Sequence, residues 1–214
     1  MAKRNIQTSR SQASPRFSRE STFLTPEEIA AMLRVPDRRT LQGKRDYALL
    51  KTMMATGLRS AELCTLDVGH IESYRNQPVL VVNGKGGKVR RVPLHPKALE
   101  TIRAYWKAEG RNGHDPGEPI FLTLGKHGPY EARRLTYKAI RHLVSRTRKE
   151  ALIKRRVTPH TLRHTFAVSL LDQGVDLRTV QDLMGHASIT TTQAYLHTSD
   201  EKKLAAVNAL TFGS

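Results

Sequence analysis

The sequence contains a single cysteine, Cys64, so no disulfide can close within the chain. Cys64 sits in the apolar run Ala61, Leu63, Cys64, Leu66 and reads as part of a buried helix face rather than as a nucleophile. No stretch of about 18 apolar residues occurs, which excludes a membrane-spanning helix. The basic opening residues 1–17 lack the apolar stretch and small-residue cleavage pattern of a secretory signal, leaving the cytoplasm as the default compartment. Acids are scarce as well. The 19 Asp and Glu against 36 Lys and Arg give a formal net charge of +17, which draws polyanions from a distance and speeds encounter with them. Nucleic acid is the first candidate partner, an anionic membrane the second, and bare solubility the third.

What is present suffices for a core: 38% of residues are hydrophobic, too many for a disordered chain. A length of 214 residues suits one sizeable domain with a loose end. Residues 1–21, rich in Ser, Arg and Gln, read as a flexible basic arm or linker remnant, and order is expected from residue 22. Thr25-Pro26-Glu27-Glu28 supplies an N-cap, a first-turn proline and a capping-box glutamate ahead of Ile29, Met32 and Leu33. Apolar spacing predicts helices over residues 45–55, stopped by Gly57, and over 60–66 and 99–106. It also predicts helices over 133–148, over 159 to a stop near Gly174, and over 177–184, closed by Gly185. Residues 77–83 and 89–94 flank Gly84-Lys85-Gly86-Gly87-Lys88 and read as a hairpin; residues 120–124 suit a short strand. The expected fold is mixed α/β, predominantly helical, with a small antiparallel sheet.

The positive charge is concentrated. Residues 133–156 carry Arg133, Arg134, Lys138, Arg141, Arg146, Arg148, Lys149, Lys154, Arg155 and Arg156 against the single acid Glu150. A solvated helix mixes signs, so this run reads as a surface laid against phosphates.

Three further segments carry chemistry. Gly57 breaks a helix and sets Arg59 at the mouth of the next, where backbone N–H groups also face anions. A guanidinium there can hold two phosphoryl oxygens, although a solvated arginine fits the spacing equally well. His160 and Arg163, three apart at a helix start, share a face and suit an anion that gains charge in a transition state. His160 and His164 form no metal site, lacking both the zincin glutamate and a spaced third ligand; His164 reads as a residue that packs within the domain. His186 follows Gly185, and Tyr195 comes nine residues later, with nothing in its own spacing to set it apart from a packing tyrosine.

The combination does set it apart. Arg59 in "ATGLRSAEL", Lys85 in "NGKGGKVRRVPL", His160 and Arg163 in "TPHTLRHTFA", and His186 and Tyr195 in "LMGHASITTTQAYLH" together resemble the catalytic domain of the tyrosine recombinases, the integrase and Xer-like family. The resemblance covers about residues 22–203, with 22–200 as the catalytic domain. It implies a site-specific DNA recombinase that cuts and rejoins double-stranded DNA through a 3'-phosphotyrosyl intermediate, with no metal or nucleotide cofactor. Tyr195 falls on the nucleophile, Arg59 and Arg163 on the two arginines that clamp the phosphate, and Lys85 on the acid that protonates the leaving 5'-oxygen. His160 and His186 fall on the two remaining active-site positions; Lys88, on the same turn, is the rival for Lys85. A type IB topoisomerase or strand-nicking enzyme shares this chemistry, and a DNA-binding module without catalysis is the alternative of another class.

Family members usually carry a separate helical domain ahead of the catalytic one and assemble on DNA as dimers or tetramers. This chain leaves no room for such a domain, which suits either a catalytic fragment or a minimal form. In the tail, residues 201–214, Leu204, Val207 and Leu210 lie at helical spacing, and docking on a neighbouring subunit stands level with folding back on the same domain.

Overall fold

The computed structural model describes residues 22–84, 87–125 and 128–185. Its elements run α1 (Pro26–Arg34), α2 (Leu41–Thr56), α3 (Ser60–Cys64), a 3-10 turn (Val68–His70), β1 (Ile71–Tyr74), β2 (Gln77–Asn83) and β3 (Val89–Pro93). They continue with α4 (Pro96–Glu109), β4 (Leu122–Gly125), β5 (Gly128–Arg134), α5 (Tyr137–Glu150), α6 (Pro159–Asp172) and α7 (Leu177–Met184). The mixed, mostly helical class expected from the sequence is what the chain adopts.

Local chemistry accounts for the helix ends. Thr25 Oγ1 accepts from the Glu28 N–H, and Glu28 Oε2 accepts from the Thr25 N–H, completing the expected capping box. Thr40 caps α2 through the Gly43 N–H, so that helix begins four residues before the expected Arg45. Thr158 and Asp176 do the same for α6 and α7.

Two antiparallel sheets form. In the first, β2 pairs with β1 and β3, and Asn83 pairs with Val89 beside the turn. In the second, β4 pairs with β5, Leu122 opposite Arg134 and Thr123 opposite Arg133. This corrects the expected helix over 133–148: Arg133 and Arg134 belong to a strand, and α5 starts at Tyr137 behind the Thr136 cap. Pairing with a partner strand ten residues upstream outweighs the helical pattern there.

One large core joins α2 (Leu49, Leu50, Met53), the first sheet (Leu80, Val82, Val92), α4 (Ile102, Tyr105) and α5 (Ile140, Val144). Cys64 is half-buried at the margin of this core, where burial raises its thiol pKa, so the buried face expected there is only partly closed. A separate small cluster of Ala167, Val180 and Met184 packs α7 on α6. No helix among the described residues is long and apolar enough to cross a membrane.

Candidate active site

Glycine makes the first bend of the site. Gly57 closes α2 in the left-handed region, φ +59°, and a Cβ there would lie 2.3 Å from Cδ1 of Phe166 on α6. Only glycine lets α6 pack this close to the turn. The turn delivers Leu58 to the core and Arg59 to the entrance of α3. The Arg59 backbone N–H donates to Glu62 Oε2 at 2.8 Å, and its Nη1 donates to Glu62 Oε1 at 2.9 Å.

α6 contributes the second arginine. Arg163 is 4% exposed; its Nη1 donates to the Gly57 carbonyl and its Nη2 to the Met184 carbonyl, both at 2.6 Å. His160, one turn earlier, is exposed. His164 faces inward as expected, with Nε2 at 2.9 Å from Thr22 Oγ1 and its ring beside Phe23.

The last turn of α7 collects these groups. Gly185 ends the helix in the left-handed region, φ +62°. Arg90 Nε donates to the Leu183 carbonyl at 3.0 Å, Arg163 Nη2 to that of Met184, and Arg59 Nη2 to that of Gly185 at 3.1 Å. Three guanidiniums from β3, α6 and the α3 entrance therefore hold three consecutive carbonyls. A helix C-terminus leaves its final carbonyls without intrahelical partners and carries partial negative charge, so cations are favoured there.

Glu62 is the one acid at the centre. Arg90 Nη1 and Nη2 donate to its two oxygens at 2.9 Å each, beside the two bonds from Arg59. Burial pushes the carboxyl pKa up, but the bonds from Arg90 and Arg59 outweigh it and hold the group below its usual range. Set against one ionised Glu62, the guanidiniums of Arg59, Arg90 and Arg163 leave a surplus of positive charge. Arg59 keeps 41% of its side chain exposed and, among the described residues, commits two side-chain N–H groups, so the rest of its fork can meet an anion.

Of the sequence-predicted residues, Arg59 and Arg163 come together on adjoining backbone carbonyls. His160 opens the helix that carries Arg163. Lys85, His186 and Tyr195 lie outside the described residues. On either side of Lys85 the hairpin is formed as expected, the Gly84 N–H donating to the Lys88 carbonyl at 2.8 Å. Glu62 and Arg90 were missed. Glu62 had a faint signal as an acid in the first turn of a helix, three residues after Arg59.

The cations of the basic run differ in their partners. Arg134 pairs with Asp67, Arg146 with buried Asp46, and Arg155 with Glu28, while Arg148 Nη1 donates to the carbonyls of Ile153, Lys154 and Arg155. These four make bonds within the fold, which the reading of the run as a phosphate-facing surface did not foresee. Lys138, Arg141, Lys154 and Arg156, with Arg148 among them, line a cavity of about 650 Å³ that reaches Thr158 and Pro159, the N-terminus of α6.

Residues 22–202 match the model of the phage integrase family. The tyrosine recombinase XerC of Bacillus subtilis (strain 168) is 35% identical over 184 residues, covering 84% of this chain and 58% of that protein. XerC of Myxococcus xanthus is 38% identical over 197 residues, 88% of this chain and 62% of that protein. The chain thus spans about three fifths of these relatives. Among solved structures, the XerA recombinase matches with a TM-score of 0.69 at 27% identity, covering 89% of this chain and 66% of that one. The XerH site-specific recombinase bound to its difH substrate before cleavage matches with a TM-score of 0.68 at 27% identity, covering 88% and 54%. The chain belongs to the phage integrase family, that of the tyrosine recombinases.

Proposed function

We propose that this chain is the catalytic domain of a site-specific DNA recombinase in which Tyr195 attacks the scissile phosphate. The supporting observation is the meeting of Arg59 and Arg163 on consecutive carbonyls of the turn from which the chain runs directly to His186 and then to Tyr195. Fixed guanidiniums at that turn are suited to the non-bridging oxygens of a phosphate whose charge grows as the nucleophile adds.

The Tyr195 oxygen bonds to phosphorus and the bond to the 5'-oxygen breaks, leaving a 3'-phosphotyrosyl enzyme and a free 5'-hydroxyl. His160 accepts the tyrosine proton, Lys85 donates one to the leaving oxygen, and His186 hydrogen-bonds to the phosphoryl group. The covalent bond conserves the energy of the phosphodiester, so attack by a 5'-hydroxyl of another strand restores DNA without a nucleotide cofactor. Exchange between two duplexes needs more than one active site, hence self-association on DNA as a dimer or tetramer. The cleft lined by Lys138, Arg141, Lys154 and Arg156, abutting the helix of His160 and Arg163, is the duplex-facing surface.

A duplex library nicked so that the cleaved end diffuses away tests this reading. Wild-type protein should become covalently attached to DNA and Tyr195→Phe should not; equal labelling of both, or of neither, would refute it.

A further inference from the structure

Arg90 supports both anchors of Arg59. The Arg59 side chain is held at two points, Glu62 Oε1 through Nη1 and the Gly185 carbonyl through Nη2. The first anchor is fixed by Arg90, whose Nη1 and Nη2 take the two carboxylate oxygens as a fork, so that Glu62, 7% exposed, has one orientation. The second is fixed by Arg90 as well. Its Nε holds the Leu183 carbonyl, and its guanidinium lies so close under Gly185 that a Cβ there would stand 2.9 Å from Cζ. The Arg90 side chain is only 14% exposed, and all three of its nitrogens donate to Glu62 or Leu183, so its effect runs through those partners.

We infer that Arg90 is a positioning residue for phosphodiester cleavage: it acts through Glu62 and the α7 terminus to hold the Arg59 guanidinium in place. This rests on the reading of Arg59 as a phosphate clamp. Without Arg90, Glu62 loses its fork and Arg59 becomes the sole partner of that carboxylate, drawn from the phosphate toward the protein. A shift of this kind, with no loss of a contacting group, costs about 100-fold in rate.

The test uses a duplex recovered by covalent trapping with wild-type protein, made with either its natural scissile phosphate or a methylphosphonate there. The methylphosphonate removes a non-bridging charge and with it much of the demand for a guanidinium. Arg59→Ala should cleave the phosphate about 100-fold slower than wild type and lose much less on the methylphosphonate. Arg90→Met should show the same selective loss, and its cleavage of the methylphosphonate establishes that it is folded. Should Arg90→Met not fold, Arg90→Lys keeps a positive charge beside Glu62 without the two-pronged fork and carries the same expectation. Wild-type rates on both substrates, or equal slowing on both, would overturn the positioning role. If Arg59→Ala itself cleaves both like wild type, or wild-type protein traps no DNA, the clamp reading falls and the inference with it.

Discussion

Arg163 on α6 donates to the carbonyl of Met184 at the end of α7 at 2.6 Å, and it does so from almost complete burial. The same guanidinium takes the Gly57 carbonyl, so one side chain ties the exit of α2, the body of α6 and the end of α7. Arg163 thus bears on folding, besides the phosphate-clamping role proposed for it. Arg163→Met leaves two carbonyls unsatisfied and should lower the unfolding free energy by about 2 kcal/mol in urea titrations. A stability equal to wild type would show that these bonds carry no net weight.

The close approach of α6 to the Gly57 turn makes a second prediction. Gly57→Ala adds a methyl 2.3 Å from the Phe166 ring and forces alanine into the left-handed region. It should cost about 2 kcal/mol or more. Phe166→Ala opens the space, so in that background the cost should fall to about 1 kcal/mol, that of the backbone alone. A double-mutant cycle with no coupling would contradict the packing described.

Stability should respond to acid through Glu62. Its carboxyl pKa is lowered in the folded protein, since the bonds from Arg90 and Arg59 outweigh the opposing effect of burial. A lowered folded pKa contributes stability that is complete above the ordinary value of 4.5 and lost as pH falls through the folded one. The margin of wild type over Glu62→Gln in unfolding free energy should therefore be level from neutrality to about pH 5 and shrink below that. A margin unchanged down to pH 3 would show that Glu62 is not ionised in the fold.

The cations along the cleft and those paired with acids should separate by experiment. Lys138→Gln, Arg141→Gln and Arg156→Gln lie along the cleft and should each lower the slope of log affinity for duplex DNA against log salt by about 0.9. Asp46→Asn removes the buried partner of Arg45 and Arg146 and should cost about 3 kcal/mol of stability while leaving that slope alone. A changed slope in Asp46→Asn, or unchanged slopes in all three cleft variants, would reverse the division.

Much of the fold was legible in the sequence because its signals are local. The Thr25 capping box, the glycine stops at 57 and 185, and the hairpin around residues 84–88 each depend on a few adjoining residues. β1 escaped notice because its hairpin turns through Arg75 and Asn76, both at positive φ with no glycine to mark them. β5 escaped notice because its end, Arg133 and Arg134, runs into the helical pattern of the basic segment that follows it.

At the site, motif order identified Arg59 and Arg163, but Arg90 ran against polarity. In β3 the buried Val92 puts Arg90 on its own face and leaves Val89 61% exposed, so the charged residue points in and the apolar one out. Counting back by twos from Val92 would have found it. The ion pairs of Arg134, Arg146 and Arg155 join residues 67 to 127 positions apart, and no local spacing reveals which cations are spent in this way.

The central claim is covalent attack by Tyr195, and the most direct measurement is the identity of the residue joined to DNA. Trapped protein, digested with nuclease and trypsin, should yield one nucleotide-bearing peptide by mass spectrometry, residues 179–202 or 179–203, with the adduct on Tyr195. An adduct on any other residue, or an adduct of equal yield in Tyr195→Phe, would contradict the account.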